Sequence, residues 1–354
     1  MTELIGARYA RWDGVGRPLT VITTRTSATP GVGEALVRVD LATICGSDLH
    51  TVLGRRPSPA PGVLGHEQVG TVLAVGPGEP PRCVDGSPVV PGMRVVWSVT
   101  VSCGSCARCG RGMPQKCLSL RKYGHQPLDP RRPLTGGFAT HVVLLPGTAI
   151  VQVPSGLPDV VAAPAACATA TVAAVLRAGR TELAGARVLV TGAGMLGLTA
   201  VAMASLAGAH VLVVDPDPAR RERAHAFGAS SVSGGELPDG GVDLAVELSG
   251  KTDAVQLALD SLDVGGTLVL AGSVTPGPPV NLDPERVVRG LHTVVGVHNY
   301  RPEDLLTAVD FLVAHHDRYP FAELVAGRYG LAELDDAFGV ARGGGAARQA
   351  VVPV

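Results

Sequence analysis

The chain has 354 residues, of which 46% are hydrophobic and only 17% are charged. This composition excludes a disordered chain, and a formal net charge of −1 leaves no broad basic surface for nucleic acid or anionic lipid. The length suggests about two domains, so we expect a globular protein that acts on a small molecule and has no nucleic-acid or membrane partner.

The first 150 or so residues predict short strands separated by turns rich in Gly and Pro. Apolar and charged side chains alternate over residues 34–41, as in a half-buried strand. Further strands are predicted at 71–75, 94–101 and 139–145. These features are typical of an antiparallel, loop-rich domain.

The pattern changes near Pro158, after which strands and helices alternate. Residues 162–178 are rich in Ala and favour a helix, and Asp217-Pro218 is a typical helix start. Short apolar runs predict buried parallel strands at 187–191, 210–215, 243–247 and 267–271. Because alternating strands and helices build a doubly wound parallel sheet, we expect an α/β protein.

Two further segments are the apolar run 197–214 and the last 50 or so residues. The apolar run 197–214 contains two Gly and His210, so we interpret it as a helix leading into a buried strand and not as a membrane span. From about Asn299, a predicted helix at 303–315 and the final strand AVVPV complete the chain. We expect this last segment to fold back on the N-terminal domain.

The cysteines favour metal ligation over disulfides. Arg and Asp occur where the apolar core of a signal peptide would lie, so we expect a cytoplasmic protein, in which thiols stay reduced. Four of the seven cysteines follow a C-x2-C-x2-C-x7-C pattern: Cys103, Cys106, Cys109 and Cys117. This spacing suits one structural, tetrahedral zinc ion with no open position. Two local disulfides or unconnected thiols are the alternative.

Three further residues form a second candidate metal site. Cys45 follows a predicted strand, His66 lies in the segment Gly65-His66-Glu67, and Cys167 begins the helix before the parallel sheet. Three protein ligands leave a fourth position open, as in catalytic zinc sites. Glu67 is a candidate temporary ligand, and Asp48 is a candidate acceptor that orients the histidine. Taken singly, each of these residues is more often a buried core residue.

A glycine-rich turn, GAGMLG, follows the predicted strand at 187–191 and precedes a helix. Such a turn lets the backbone approach a pyrophosphate, and the contacts predicted here are Gly192, Gly194, Met195, Leu196 and Gly197. Asp215 ends the next predicted strand, where a carboxylate accepts hydrogen bonds from the adenosine ribose. NAD is therefore favoured over NADP. Arg220 and Arg221 could instead bind a 2′-phosphate, and a solvated helix face is their alternative interpretation.

The GHExxG motif at 65–70, the four-cysteine lobe and the glycine-rich turn with its acid occur in one order along the chain. In this respect the whole chain resembles the zinc-dependent medium-chain alcohol and polyol dehydrogenases. The resemblance implies a GroES-like catalytic domain at 1–160, completed by 299–354, and a Rossmann domain at 161–298. It also implies an active-site cleft between the domains and a homodimer or homotetramer.

Carried over residue by residue, the resemblance makes Cys45, His66 and Cys167 the catalytic zinc ligands. Ser47 and His50 match the residues that pass the substrate proton outward through the nicotinamide ribose. The remaining matches are Thr171 and Val297 near the nicotinamide, Arg220 near the adenosine ribose, Arg348 at the pyrophosphate and Val99 in the substrate pocket.

The sequence also departs from its relatives. Gly46 stands where the animal ethanol dehydrogenases have Arg, and CGSDLH is more similar to polyol and threonine dehydrogenases. Cys167, in contrast, occupies a position where the polyol enzymes usually have Glu. Basic and polar residues concentrate at 120–132 and 298–301, which would suit a phosphate, phosphonate or carboxylate on the substrate. A solvated basic loop is the alternative interpretation.

Together these features predict a zinc-dependent, NAD-linked alcohol dehydrogenase. Its substrate would be a secondary alcohol (a polyol, cyclitol or amino alcohol, with or without a phosphate or phosphonate group) or the matching carbonyl. The expected cofactors are one catalytic zinc, one structural zinc and NAD. The alternatives are a redox-neutral lyase or epimerase that uses NAD transiently on the same scaffold, and a non-enzymatic protein, which would not need an open metal site.

Overall fold

The computed structural model describes residues 3–236 and 240–353. In these residues the strands are β1 (Leu4–Trp12), β2 (Thr20–Ser27), β3 (Ala35–Thr43), β4 (Gly62–Val63), β5 (Glu67–Val75), β6 (Arg94–Val101), β7 (Arg121–Lys122), β8 (His141–Leu144), β9 (Thr148–Gln152), β10 (Arg187–Thr191), β11 (His210–Val214), β12 (Ser231–Ser233), β13 (Val242–Glu247), β14 (Leu262–Leu270), β15 (Thr293–Gly296), β16 (Val325–Tyr329) and β17 (Arg348–Val351).

The helices follow the same numbering along the chain. They are α1 (Gly46–Val52), α2 (Ala107–Gly110), α3 (Asp159–Ala162), α4 (Ala168–Gly179), α5 (Met195–Leu206), α6 (Pro218–Ala226), α7 (Thr252–Asp260), α8 (Pro284–Gly290), α9 (Pro302–His315) and α10 (Leu334–Gly343). Short 3₁₀ turns also occur in the described residues, and one of them, Ala163–Ala166, links α3 to α4.

The chain divides into two compact units. The first contains residues 1–170, 301–316 and 321–354, and the second contains residues 171–300 and 317–320. The divisions expected from the sequence, at 160/161 and 298/299, lie ten and two residues before those of the two units. The segment after Tyr300 belongs mostly to the first unit, where β17 pairs with β3. The last described strand thus lies against a strand of the N-terminal segment, and Val354 lies outside the described residues.

The first unit is built on antiparallel sheets. One sheet has the order β2-β1-β4, and the larger one has the order β16-β17-β3-β5-β6-β7, with β8 paired to β3 and β9 to β6. Strand β3 alternates buried Val37 and Val39 with exposed Arg38, as a half-buried strand requires. The core between the strands includes Trp97 and Phe138, both fully buried. The predicted antiparallel domain is confirmed, with β16 and β17 as a parallel pair at its edge.

The second unit is a parallel sheet with helices between its strands. Its strand order is β12-β11-β10-β13-β14-β15, which in chain order is the 3-2-1-4-5-6 arrangement of dinucleotide-binding folds. The strands read as continuous apolar runs because neighbouring layers cover both faces of the sheet. The predicted doubly wound sheet and the α/β class are confirmed. Ligands of such sheets bind where the strand order reverses, here between the carboxyl ends of β10 and β13.

Most predicted elements are present, but one predicted helix is interrupted and several strand boundaries were wrong, including that of the final strand, which was expected at 350–354 and is Arg348–Val351. The helix expected over 162–178 is interrupted, because Pro164 lacks a backbone N–H and a 3₁₀ turn separates α3 from α4. Strand β5 begins at Glu67 instead of at residue 71. Strand β14 begins at Leu262 instead of at residue 267, and it includes two consecutive glycines that weaken the strand pattern.

The apolar run 197–214 is α5 followed by β11, as predicted. Among the described residues, no single helix has the length and apolar character of a membrane span. The bent pair of Asp159–Ala166 with Ala168–Gly179 reaches that length and composition only when the two are taken together, across a bend of 52°.

Candidate zinc and dinucleotide sites

Three elements of the first unit bring the second metal constellation together. Cys45 is the N-cap of α1, His66 immediately precedes β5, and Cys167 lies between a 3₁₀ turn and α4. One ligand atom from each of these residues lies within 4.8 Å of the others. Cys45 and His66 are buried, and Cys167 is half-buried. Two sulfurs and one imidazole nitrogen are donors that zinc prefers, so the cluster fits a zinc ion with a fourth position to spare.

Asp48 holds two of these residues in place. Its carboxylate accepts hydrogen bonds from the amides of Cys45 (3.0 Å) and Gly65 (3.4 Å), and it lies 3.3 Å from Nδ1 of His66. This is the contact that the predicted orienting role requires, and it leaves Nε2 as the nitrogen for a metal. Burial lowers the pKa of His66, but the Asp48 charge outweighs it and holds that pKa well above its ordinary value.

The two thiols of the cluster differ in acidity. A hydrogen bond from Cys167 and the charge of Arg348 hold the pKa of Cys45 well below its ordinary value, against the effect of burial. The same hydrogen bond and burial hold the pKa of Cys167 well above its ordinary value. Since a metal binds the thiolate, Cys45 is the thiol that the protein environment has already prepared for ligation.

Glu67 is tied to an arginine from the far end of the chain. The Arg348 guanidinium donates to both Glu67 carboxylate oxygens at 2.7 and 2.8 Å, and the Thr43 hydroxyl donates to one of them at 2.6 Å. Burial raises the pKa of Glu67 to about 7, although Arg348 opposes this. The predicted role of Glu67 as a temporary metal ligand would require these hydrogen bonds to break.

Arg348 itself is only 6% exposed. Its guanidinium also donates to the carbonyl oxygen of Ala347, and Nη2 lies 3.6 Å from Sγ of Cys45. All three guanidinium nitrogens thus have partners within the first unit. The contact with a pyrophosphate stays a prediction, whereas the pair with Glu67 was missed because no sequence signal links residues 281 positions apart.

The predicted proton relay lies on α1. The Ser47 hydroxyl is 3.0 Å from Nε2 of His66, which is the nitrogen that remains to bind a metal. His50 comes three residues later, on the same side of the helix, and is half-buried. Val99, the predicted pocket residue, is a buried residue of β6.

The four-cysteine lobe has the geometry of a metal site. Its four sulfurs lie within 4.8 Å of one another, and three of the pairs are 3.4, 3.5 and 3.9 Å apart. Zinc–sulfur bonds of about 2.3 Å give tetrahedron edges of about 3.8 Å, so the lobe fits zinc. Hydrogen bonds from the amides of Ser105 and Cys106 lower the pKa of Cys103 to about 5. The seven cysteines are all free, which is against the disulfide alternative.

The glycine-rich turn lies between β10 and α5 in the second unit. Gly192 has φ +93°, a conformation that favours glycine, and a Cβ on Gly197 would lie 1.7 Å from the carbonyl oxygen of Gly192. A Cβ on Gly194 would meet nothing within 4 Å, so the backbone there is open to a ligand. Met195 and Leu196 begin α5, whose N-terminal amides suit a pyrophosphate. The turn fits a dinucleotide.

Asp215 directly follows β11 and is buried. Its carboxylate accepts hydrogen bonds from the amides of Ala193 (2.7 Å) and Asp217 (2.9 Å). Arg221 donates to the carbonyl oxygens of Asp215 and Pro216, and an Arg220 nitrogen lies 3.9 Å from the Asp215 carboxylate. A solvated helix face therefore does not describe Arg221, whose guanidinium is held by the backbone.

The remaining predicted cofactor residues lie at separate places in the second unit. Thr171 is a half-buried residue of α4, and Val297 follows β15, with its amide donating to the carbonyl oxygen of Leu270. Their contacts with nicotinamide stay predictions.

The basic segment 120–132 divides between two environments. Arg121, Arg131 and Arg132 are exposed and line a surface cavity of about 630 Å³, which Lys122 borders. Lys122 is itself half-buried, and the ring of His125 packs on that of His66 with centroids 4.8 Å apart. The segment is therefore not simply a solvated loop. The sequence pattern indicates that this segment is basic, but it does not show that His125 is the residue that packs on a zinc ligand.

Comparison with known proteins agrees with this geometry. Residues 31–155 match the alcohol dehydrogenase GroES-like domain, and residues 196–314 match the zinc-binding dehydrogenase family. An L-threonine 3-dehydrogenase of Anaeromyxobacter dehalogenans is 31% identical over 334 residues, which is 89% of each chain. A sorbitol dehydrogenase of Halalkalibacterium halodurans is 28% identical over 351 residues, which is 94% of this chain and 95% of the other.

One solved structure is similar over nearly the whole chain. It is a protein of Sinorhizobium meliloti, described as a zinc-binding dehydrogenase and bound to NADP. It has a TM-score of 0.84 and 25% identity to this chain, and the match covers 99% of this chain and 100% of the other. The fold is thus shared along nearly the full length of the chain.

Proposed function

Because the chain belongs to the zinc-dependent medium-chain dehydrogenase family, whose members are oxidoreductases acting on CH–OH groups, we propose that it oxidises a secondary alcohol with NAD⁺ or reduces the matching carbonyl with NADH. The substrate class is a polyol, a cyclitol or an amino alcohol. The relatives named above act, by their names, on an amino alcohol and on a polyol, and CGSDLH is similar to both groups of enzymes.

The observation that carries the proposal is the open Cys45–His66–Cys167 cluster. When bound, zinc lowers the pKa of the substrate hydroxyl as a Lewis acid, and the nicotinamide accepts the hydride. A site with three protein ligands keeps a fourth position for the substrate oxygen. The four-cysteine lobe supplies four ligands and leaves no open position, so its role is structural. Zinc at both sites is part of the proposal.

Ser47 and His50 handle the proton in this proposal. Because the Ser47 hydroxyl lies beside Nε2 of His66, it is placed to accept the proton of a hydroxyl group held at the cluster. His50 follows one helical turn later, and an imidazole, with an ordinary pKa of about 6.5, suits proton transfer to solvent near neutral pH. Asp48 keeps the imidazole of His66 in orientation.

Asp215 supports NAD as the cofactor. A buried carboxylate at the end of β11 carries negative charge where the 2′-phosphate of NADP would lie. Of the two basic residues that could offset this charge, Arg221 is held by two backbone carbonyl groups, and Arg220 lies 3.9 Å from the Asp215 carboxylate itself. The NADP bound to the Sinorhizobium meliloti protein makes a direct comparison of both cofactors part of the test.

The assembly and location in the proposal follow from the surface of the second unit and from the cysteines. Strand β15 lies at the sheet edge and contains the exposed Val294, and Val288 and Leu291, which precede the strand, are exposed as well. An exposed edge strand with apolar neighbours favours pairing with a second copy, so we expect a homodimer, which can pair further into a homotetramer. Thiolate ligands of zinc persist where thiols stay reduced, so we place the protein in the cytoplasm.

The test is spectrophotometric. Zinc-loaded protein is assayed for NADH or NADPH formation with secondary alcohols, polyols, cyclitols and amino alcohols, beside Cys45→Ser. Turnover with NAD⁺ that is lost in Cys45→Ser supports the proposal. Turnover without added NAD⁺, with tightly retained cofactor, would favour the redox-neutral lyase or epimerase, to which the relatives named above give no support.

A further inference from the structure

A group of cations lies beside the candidate catalytic cluster in the first unit. Lys122 is on β7, where it pairs with Thr100 of β6, and Arg56 follows α1, with its amide bonded to the carbonyl oxygen of His50. Both side chains are half-buried. Successive side chains of a strand point to opposite faces. Lys122 therefore lies on the face of β7 opposite to that of the exposed Arg121.

Backbone contacts fix this group relative to the metal ligands. The amide of Tyr123 donates to the carbonyl oxygen of Val99, and a Cβ on Gly124 would lie 2.4 Å from the carbonyl oxygen of Gly65. The residues after Lys122 thus pack directly on the turn that presents His66, and the His125 ring lies on the His66 ring. The position of Lys122 is therefore set by the same backbone that sets the candidate zinc site.

The charges in this group do not balance. Burial and the charges of Arg56 and Lys116 lower the pKa of Lys122 to about 8, and the one group that acts in the opposite direction is Cys167. Neither Lys122 nor Arg56 forms a side-chain ion pair or hydrogen bond with any residue the structure describes. Holding two like charges together in a half-buried place destabilises the free protein, and such arrangements cluster at functional sites.

We infer that Arg56 and Lys122 bind an oxyanion carried by the substrate, so that the enzyme prefers alcohols bearing a carboxylate, phosphate or phosphonate group. This inference rests on the proposed function, since it names the substrate class of the same site. The guanidinium of Arg56 offers a planar, two-point contact to an oxyanion, and the ammonium of Lys122 adds a point charge. The ring of His125 packs on that of His66, so the segment that carries Lys122 lies beside the candidate zinc ligands.

Matched substrates separate the oxyanion from the alcohol. The pairs are glycerol 1-phosphate with glycerol, 3-hydroxybutanoate with 2-butanol, and 2-hydroxypropylphosphonate with 2-butanol. The variants are Lys122→Met and Arg56→Met. Lys122→Arg keeps the charge, and Arg121→Met removes a neighbouring charge that faces the surface cavity. One lost charge-assisted contact lowers kcat/KM by about 10- to 100-fold.

The wild-type enzyme is expected to prefer one anionic member over its neutral partner. Lys122→Met and Arg56→Met should remove that preference, mainly through KM, while Lys122→Arg and Arg121→Met retain it. The anionic group that shows the preference identifies the oxyanion. Equal losses on both members of a pair would overturn the inference, because the cations would then act on the reacting oxygen or on folding. An anion preference lost in Arg121→Met alone would overturn it too, in favour of the surface cavity.

A failure of the proposed function gives a different result. If no alcohol of either kind is turned over, binding of inorganic phosphate, methylphosphonate and acetate to the zinc-loaded, NAD⁺-saturated protein is measured by calorimetry. Binding that is lost in Lys122→Met and retained in Arg121→Met supports the oxyanion site without any turnover. Absence of binding in the wild-type protein overturns it.

Discussion

The Arg348 guanidinium and the Glu67 carboxylate, 281 residues apart in the chain, form a buried ion pair through two hydrogen bonds of 2.7 and 2.8 Å. Arg348 also lies 3.6 Å from the sulfur of Cys45. The last strand of the chain is thereby joined to the residues that present the candidate catalytic ligands. The pair supplies positive charge behind a cluster in which Cys45 must be a thiolate.

Arg348→Met should lower the free energy of unfolding by about 3–5 kcal/mol, because it leaves the Glu67 carboxylate buried without its partner. Burial raises the pKa of Glu67 to about 7, so the loss should be largest above that pH and smaller below it, where Glu67 binds a proton. Urea unfolding of the zinc-loaded protein measures the effect. The double variant Glu67→Gln/Arg348→Met is the control, and it should be more stable than Arg348→Met alone. A double variant that is even less stable would contradict the account.

Two cysteine variants should separate the two metal sites. Cys109→Ser removes a ligand of the four-cysteine lobe and should lose the zinc bound there, along with much of the thermal stability. Cys45→Ser should lose the other zinc and the activity, with a smaller change in the melting temperature. Metal analysis and thermal unfolding of both variants measure this. Cys83→Ser is the control, since Cys83 packs in the core near Met93 and belongs to neither cluster. Its zinc content should equal that of the wild type.

The local motifs and the parallel sheet could be predicted from the sequence because their signals are short-range. The four-cysteine lobe is contained in the single segment 103–117, and the N-cap of α6 needs only Asp217 and the two amides that it accepts from. The Cys45–His66–Cys167 cluster was harder to predict, because its three residues are far apart in the sequence and were grouped by their resemblance to the dehydrogenase family. The sequence could suggest that the carboxylate of Asp48 orients His66, but only the folded chain gives the distance between them.

Other features depend on contacts that only the folded chain contains. Strand β5 starts at Glu67 because its first two residues, although polar, pair with the backbone of β3, and the Thr43 hydroxyl of β3 donates to the Glu67 carboxylate. A pattern of apolar alternation does not detect such residues. The proximity of Lys122 to Arg56 could not be predicted for the same reason. The two cations are distant in the sequence, and only the folded chain brings β7 close to the end of α1.

Asp215→Ser should shift the cofactor preference from NAD towards NADP. The substitution removes the buried negative charge at the end of β11, and Arg220, 3.9 Å from that carboxylate, becomes available to a 2′-phosphate. We expect the ratio of kcat/KM for NAD⁺ to that for NADP⁺ to fall by about tenfold or more. Glu222→Gln is the control, because Glu222 is an exposed acid on the same helix. An unchanged ratio in Asp215→Ser would place the discrimination elsewhere.

Val294→Lys should disrupt the proposed dimer. Val294 lies on the edge strand β15 and is 45% exposed, near Leu291, which is 70% exposed. A charge on an edge strand opposes pairing with a second strand. Sedimentation velocity should show a dimer or tetramer for the wild type and a smaller species for the variant. Val32→Lys, at an exposed position of the first unit, should not change the assembly. A wild-type monomer would refute the proposed assembly.

Turnover of an anionic substrate should fall as the pH rises through about 8, whereas turnover of its neutral partner should not. The cause is the pKa of Lys122, which burial, Arg56 and Lys116 lower to about 8 while Cys167 opposes them. A lysine whose pKa lies below its unfolded value is charged below the lower pKa and neutral above it, so the contact with an oxyanion is present at lower pH and is lost on the alkaline side. Profiles of kcat/KM against pH for one matched pair measure this. In Lys122→Arg the side chain stays charged, and the fall near pH 8 should disappear. A fall that persists in that variant would assign the titration to another group.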